Sequence, residues 1–220
     1  MRRVLVLRPE PGASATVDKA RQLGLDAVAM PLFEVEPVEW EIPDPTGFDG
    51  LLLTSANALR HGGEGLQALR GLQVDVVGEV TAQTAREAGF DVASIGDGGV
   101  ERLLGAIDPG LRLLHLCGKD RLAPANASQA ITPIVVYRSR EVPNPGQIAA
   151  DSLALIHSPR AGRRFAELVD DRGRLAIAAI SSEAAAAAGS GWESVQAAER
   201  PTDEALLALA ASLCNKPPTG

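Results

Sequence analysis

The chain has 220 residues, of which 45% are apolar and 22% charged, and its net charge is −7 at pH 7. This length suits one large domain or two of about one hundred residues each, and the composition is that of an ordinary globular protein. The negative charge, without any basic tract, argues against nucleic acid as a partner.

Neither a membrane segment nor a secretion signal is predicted. No apolar run approaches the ~18 residues that a spanning helix needs. The apolar stretch VLVL at residues 4–7 is too short for the core of a signal peptide. The two cysteines, Cys117 and Cys214, lie far apart and lack the spacing of metal ligands. We therefore expect a cytoplasmic protein with no disulfide framework, no metal site and no membrane partner.

Short strand-like runs alternate with helix-like runs along the chain. The predicted strands are residues 4–7, 27–30, 50–54, 75–77, 113–116, 134–137, 154–157 and 176–180. The predicted helices are residues 15–23, 57–72, 82–88, 100–107, 160–170, 183–188 and 203–213. The strands are mostly apolar throughout, which is typical of strands covered on both faces of a parallel sheet. The alternation predicts an α/β fold of doubly wound parallel sheets.

The sequence also nearly repeats itself. Residues 48–58 read FDGLLLTSANA and residues 151–161 read DSLALIHSPRA. Each segment is an apolar run that reaches a hydroxyl residue, Ser55 or Ser158, and then opens a predicted helix. A repeat of this kind favours two similar α/β halves that could face each other across a cleft.

Two Pro-flanked, extended segments interrupt the alternation, at residues 30–37 and 133–143. Their antiparallel pairing would make a two-stranded β-ladder linker between two domains. The first domain would then be discontinuous, with residues 1–34 joined by 141–214, and the second would be an insertion of residues 36–137. Domain insertion is tolerated where the ends of the insert lie close together. We expect residues 215–220 to form a disordered tail.

The turns that follow the strands are the predicted binding site, because ligands of open α/β sheets bind at the carboxyl ends of the strands. Helix N-termini there offer N–H groups to an anion, and the turns add hydroxyl and basic side chains. A second interpretation stays open, in which each Ser or Thr is simply a helix N-cap. The candidates with such side chains are Arg8, Thr54, Ser55, Thr81, Lys119, Ser158, Arg160, Ser181 and Ser182.

Other constellations are weak. No turn completes a dinucleotide fingerprint or a phosphate-binding GK[ST] loop, so no nucleotide cofactor is predicted. Cys117 is either an activated thiol beside Lys119 or a small buried residue. His61 is expected to be exposed in a Gly-rich turn. Tyr137, the one tyrosine in the chain, is either a packing residue or a hydrogen-bond donor to a ligand.

Nine motifs in order resemble a known family. They are RPEPGA at 8–13, PLFEVEP at 31–37, LLLTSANALR at 51–60, VVGEVTA at 76–82, LHLCGKDR at 114–121, VVYRSR at 135–140, SPRAGRRFAEL at 158–168, AAISSEAA at 178–185 and ERPTDEALLAL at 199–209. Together they resemble uroporphyrinogen-III synthases. The resemblance implies two similar α/β domains joined by a β-ladder. It also implies a cofactor-free lyase that cyclises hydroxymethylbilane, inverts its last pyrrole ring and releases water.

The same resemblance assigns roles to residues. Tyr137 matches the family's linker tyrosine, which is thought to assist departure of the hydroxyl. The other matches would bind the substrate, a linear tetrapyrrole with many carboxylates: Thr54, Ser55, Asn57, Gly78, Thr81, Ser158 and Pro159. Ser181 and Ser182 fall where the family has IG-x-x-TA, and here Ser181 replaces the glycine and Ala184 the threonine. Their hydroxyls are expected to substitute.

We expect a monomer that contacts the preceding pathway enzyme only transiently. The alternative function is a non-catalytic, bilobed ligand-binding or regulatory module on the same scaffold, since fold does not dictate function. A weaker alternative is an α/β enzyme that acts on a phosphorylated metabolite.

Overall fold

The computed structural model describes residues 2–121 and 123–215. In chain order the strands are β1 (Val4–Val6), β2 (Ala27–Ala29), β3 (Phe33–Pro37), β4 (Gly50–Leu53), β5 (Gln73–Val77), β6 (Val92–Gly96), β7 (Arg112–Gly118), β8 (Ala130–Glu141), β9 (Leu153–Ile156), β10 (Ala176–Ala179) and β11 (Ser194–Ala197). The α-helices are α1 (Gly12–Gln22), α2 (Asn57–His61), α3 (Glu79–Glu87), α4 (Val100–Ala106), α5 (Pro159–Leu168), α6 (Ser182–Ala187) and α7 (Asp203–Asn215). Contacts divide the chain into two compact units, one containing the residues up to Glu34 and from Glu141 onward, the other Val35–Arg140.

The first unit is a five-stranded sheet in the order β11-β10-β9-β1-β2, and its neighbouring strands are parallel. Strands β1, β9 and β10 are fully buried, because their apolar side chains alternate between two cores. On one face, Leu5 and Ile177 pack with Phe165 of α5. On the other face, Val4 and Leu155 pack with side chains of α1 and α7. Helices on both faces make this unit doubly wound.

The second unit is a six-stranded sheet in the order β3-β8-β7-β4-β5-β6. Strands β8, β7, β4, β5 and β6 run parallel, each paired with the next in this order. Leu51 and Leu53 of β4 face the core formed with α2 and α3. Leu52 faces the opposite side, where α4 supplies Leu103 and Leu104. The predicted mixed α/β fold with parallel sheets is confirmed, and the carboxyl ends of β7, β4 and β5 lie side by side.

The structure corrects several predicted elements. The helix expected over 57–72 ends at His61 and is followed by a 3-10 helix, Gly63–Leu69, because Gly62 and Gly63 interrupt it. Strands β6 and β11 are present although the sequence pattern does not predict them. Asn215 belongs to α7, not to the expected tail, and residues 216–220 lie outside the described residues.

The segment predicted as one half of a linker is also a sheet strand. From Ala130 to Tyr137, β8 pairs in parallel with β7. Strand β3 is its other neighbour. Near them, Val38 N–H donates to Val136 O (3.0 Å) and Val142 N–H to Leu32 O (2.9 Å). The antiparallel linker and the domain limits 1–34 with 141–214 and 36–137 stay predictions.

Within the described ranges, no helix combines the length and apolarity that crossing a membrane requires. The same residues contain no group of three or more His, Cys, Asp or Glu side chains that could hold a metal ion.

Candidate functional site

The carboxyl edge of the second sheet gathers three predicted turns. Because β7, β4 and β5 are neighbours, the turns that follow them bring Lys119, Thr54 and Gly78 to the same edge of the sheet. Tyr137 joins this edge from β8, where it pairs with Gly118 at the end of β7. The sequence-predicted residues of this unit are therefore collected in one place.

Thr54 is hydrogen-bonded to a buried histidine. Its Oγ1 lies 3.1 Å from Nε2 of His115, which is only 2% exposed. Burial, and secondarily the charge of Arg121, lowers the pKa of His115 to about 4, so the ring is neutral at neutral pH. The neighbouring hydroxyl of Ser55 accepts a hydrogen bond from the backbone N–H of Asn57 (3.2 Å) at the start of α2.

Gly78 shapes the turn into α3. Its φ of +84° lies in the left-handed region that favours glycine. Its carbonyl accepts from Thr81 N–H and Ala82 N–H, both at 3.1 Å. Thr81 is buried (5% exposed), and Val80 beside it is 69% exposed. The turn therefore presents its backbone and an apolar side chain, while Thr81 faces inward.

Tyr137 packs on a glycine. A Cβ at Gly118 would lie 2.6 Å from Cε2 of Tyr137 and 3.0 Å from its hydroxyl oxygen, so the ring covers the place a side chain would occupy. The Tyr137 side chain is half-buried. Its carbonyl accepts from Lys119 N–H at 3.0 Å, and Lys119 is exposed.

The carboxyl edge of the first sheet gathers the remaining candidates. Strands β10, β9 and β1 are neighbours, so Ser181 and Ser182 after β10, Ser158 after β9 and Arg8 after β1 share an edge. Pro159 and Arg160 begin α5 at the same edge. The Arg160 guanidinium also lies 4.3 Å above the ring of Phe33.

Two of these serines are N-caps. Ser158 Oγ accepts from Ala161 N–H (3.2 Å) and Ser181 Oγ from Ala184 N–H (3.3 Å). A hydrogen bond from the Ser181 hydroxyl also lowers the pKa of the Glu183 carboxyl. The capping interpretation therefore describes both residues, and the Ser181 hydroxyl forms its hydrogen bonds within the chain. Ser182 is exposed at the first position of α6.

The sequence pattern did not predict a charged network at this edge. Asp203, at the start of α7, lies 3.5 Å from Arg8 Nη1 and 3.1 Å from His157 Nε2. The buried hydroxyl of Thr16 donates to both Asp203 oxygens at 3.1 Å. Arg8 is thus held by a carboxylate of its own unit. The one local signal was an aspartate at a helix start directly after Thr202, whose hydroxyl accepts from Ala205 N–H at 3.2 Å.

The structure decides two sequence interpretations. Cys117 is 2% exposed, and burial raises the pKa of its thiol, so of the two alternatives it is the small buried residue and not the activated thiol. His61 is half-buried instead of exposed, and its ring centroid lies 6.3 Å from that of Tyr137. One feature of the sequence could have indicated that His61 lies near the site. It follows Asn57 by four residues on α2, and residues i and i+4 share a helix face.

The sequence pattern of the family described as Uroporphyrinogen-III synthase HemD matches residues 14–208. This chain belongs to that family. It is 35% identical over 101 residues to a uroporphyrinogen-III synthase of Chlorobaculum parvum, a match that covers 42% of this chain and only 41% of that relative. The recognised family resemblance is therefore confirmed.

Two solved structures have the same fold. The uroporphyrinogen-III synthetase of Helicobacter pylori superimposes with a TM-score of 0.69 at 20% identity, covering 97% of this chain and 100% of the other. A mutant uroporphyrinogen III synthase of Thermus thermophilus gives 0.57 at 20% identity, covering 98% and 100%. At these identities the likeness concerns the fold.

Proposed function

We propose that this protein is a uroporphyrinogen-III synthase of porphyrin and heme biosynthesis. It converts hydroxymethylbilane into uroporphyrinogen III, with inversion of the last pyrrole ring and loss of water, as a lyase without a cofactor. The observation that carries the proposal is the family match across residues 14–208, which includes Tyr137 and the strand-end turns of both units except the turn of Arg8 after β1.

The proposed chemistry needs little acid–base help. The C–O bond of the hydroxymethyl group breaks as the pyrrole nitrogen supplies the electron pair and releases its proton, and the hydroxyl takes up a proton and leaves as water. Tyr137 assists by donating a hydrogen bond to the departing oxygen. The main task is to hold the chain so that the inverted ring closes and the uninverted closure is disfavoured, which is catalysis by proximity and orientation.

Substrate carboxylates are the proposed ligands of the turns. Backbone N–H groups at the starts of α3 and α5 favour anions even in a protein of net negative charge, because the helix dipole acts locally. The proposed substrate-binding residues are Thr54, Ser55, Asn57, Gly78, Thr81 and Lys119 in the second unit, and Arg8, Ser158, Pro159, Arg160, Ser181 and Ser182 in the first. We further propose a cytoplasmic monomer that contacts the preceding pathway enzyme only transiently.

Rescue of a bacterial strain that lacks its own synthase tests the proposal against a non-catalytic module on the same scaffold. We expect the wild-type gene to restore growth and heme formation, whereas the empty vector does not. Folded protein that accumulates in the cells without restoring growth would contradict the proposal.

A further inference from the structure

The end of α2 is fixed beside the ring of Tyr137. Gly62 is buried, and a Cβ there would lie 2.6 Å from Ala58 O and 2.7 Å from the Leu66 side chain. The indole N–H of Trp40 donates to Gly62 O at 2.9 Å. His61 therefore leaves the helix in a direction set by tight backbone packing.

The His61 imidazole reaches the proposed hydroxyl-assisting residue. Its centroid lies 6.3 Å from that of the Tyr137 ring, with an interplanar angle of 39°. This is within the range at which aromatic rings contact. Gly118 supplies the second contact, since the Tyr137 ring covers the place where a side chain would start. Burial, with the charge of Arg60, lowers the pKa of His61, so a neutral ring faces the phenol at neutral pH.

We propose that His61 is a positioning residue for Tyr137. The imidazole, together with the bare backbone of Gly118, holds the phenol ring in one orientation, so that its hydroxyl is aimed before the substrate arrives. This inference rests on the proposed function, in which Tyr137 donates to the departing oxygen. Holding a half-buried phenol in place raises the turnover rate because misplacement of a catalytic group is costly.

The contact has a readout that does not depend on activity. Tyr137 is the one tyrosine in the chain, so ring-labelled tyrosine gives an NMR spectrum of this residue alone. His61→Ala should shift the Tyr137 ring resonances, and His61→Phe, which keeps an aromatic ring, should leave them nearer to wild type. Gly118→Ala should also shift them, because its Cβ forces the ring to move. Unchanged resonances in His61→Ala would overturn the inference.

A double-mutant cycle tests the catalytic consequence. His61→Ala should lower kcat for type III formation roughly tenfold with little change in KM, and His61→Phe should keep most of the rate. In a Tyr137→Phe background, His61→Ala should cause no further loss, since His61 acts through the phenol hydroxyl. Gln67→Ala, exposed on the following 3-10 helix, is the matched control and should leave rate and spectrum unchanged.

Two failures are distinguishable. Independent losses for His61→Ala and Tyr137→Phe, which multiply in the double variant, would overturn the positioning role while leaving the proposed function intact. A Tyr137→Phe enzyme with the wild-type rate would instead remove Tyr137 from the proposed mechanism, and with it the positioning role.

Discussion

Asp203 joins side chains of the first unit that lie far apart in the sequence. Thr16 donates to its carboxylate, His157 lies 3.1 Å away, and Arg8 and Lys19 lie at 3.5 and 3.6 Å. Thr16 is fully buried and Asp203 is 16% exposed. Removal of the carboxylate would leave the buried Thr16 hydroxyl and the His157 imidazole without this hydrogen-bond partner. A buried polar group that loses its partner costs its full desolvation free energy.

We predict that Asp203→Ala lowers the free energy of unfolding by about 1–3 kcal/mol. Urea unfolding measures it. The matched control is Glu204→Ala at the next position, whose exposed carboxylate pairs with Lys19 on the surface and should leave the midpoint unchanged. Equal effects of the two substitutions would show that the network does not stabilise the unit.

His115 makes stability depend on pH. Its pKa falls from 6.5 to about 4 in the folded chain because the ring is buried. Above pH 6.5 the ring is neutral in both the folded and the unfolded chain, so the full stability of the protein is present there. This stability is lost as the pH falls from 6.5 towards 4, because the unfolded chain then binds a proton that the folded chain does not.

His115→Gln removes this titration while keeping a polar group beside Thr54. Between pH 7 and pH 4.5, wild-type protein should lose about 2–3 kcal/mol more of its unfolding free energy than the variant does. Urea unfolding at both pH values isolates the histidine, since the other titrating groups are common to both proteins. Parallel pH profiles would contradict the predicted shift.

At the scale of elements, α5 and α6 approach each other over a glycine. A Cβ at Gly162 of α5 would lie 2.9 Å from Ala184 O and 3.0 Å from Ala188 N, both backbone atoms that cannot turn aside. By contrast, a Cβ at Gly105 of α4 has no heavy atom within 4 Å, and Gly105 is exposed. The same substitution should therefore change the stability of the protein in opposite directions at the two positions.

We predict that Gly162→Ala lowers the thermal midpoint because α5 and α6 must separate. Gly105→Ala should instead raise stability by up to about 0.5–1 kcal/mol, through helix propensity alone. Calorimetry of both variants compares them directly. A stabilised Gly162→Ala protein would contradict the close packing of the two helices.

Strands buried on both faces could be predicted from the sequence, whereas the edge strands β6 and β11 could not. LLL of β4 and LALI of β9 are apolar without interruption, so their runs identify central parallel strands. VASIG of β6 and SVQA of β11 lie at sheet edges, are only partly buried, and mix small and polar residues. Their strand conformation comes from pairing with β5 and β10, which no local pattern reveals.

For the candidate site, the strand-end turns could be predicted because parallel strands end at one edge. The partners of their side chains could not. Thr54 and His157 occupy the same place in the repeat, yet Thr54 binds His115 of β7 and His157 lies against Asp203 of α7. Such contacts join positions 61 and 46 residues apart, and they depend on tertiary packing.

At the scale of the whole molecule, each unit has its own sheet and its own cores. The ends of the second unit are joined within it, since Val38 N–H donates to Val136 O and Arg138 pairs with Glu36. An inserted domain whose ends meet does not need the rest of the chain to close its core.

We therefore predict that residues 35–140 fold alone. The fragment should show a cooperative urea transition and α/β circular dichroism, because its core is complete without the other unit. The same fragment with Leu51→Asp, which places a carboxylate at a fully buried position, is the unfolded reference. A gradual, non-cooperative transition in the unsubstituted fragment would contradict two separate domains.

The most direct measurement of the proposed activity is the isomer composition of the product. Purified protein is incubated with hydroxymethylbilane, and the type I and type III uroporphyrinogens are separated after oxidation, beside a reaction without protein. We predict predominantly type III, formed faster than the spontaneous closure that gives type I. Only type I, at the rate of the protein-free reaction, would contradict this prediction.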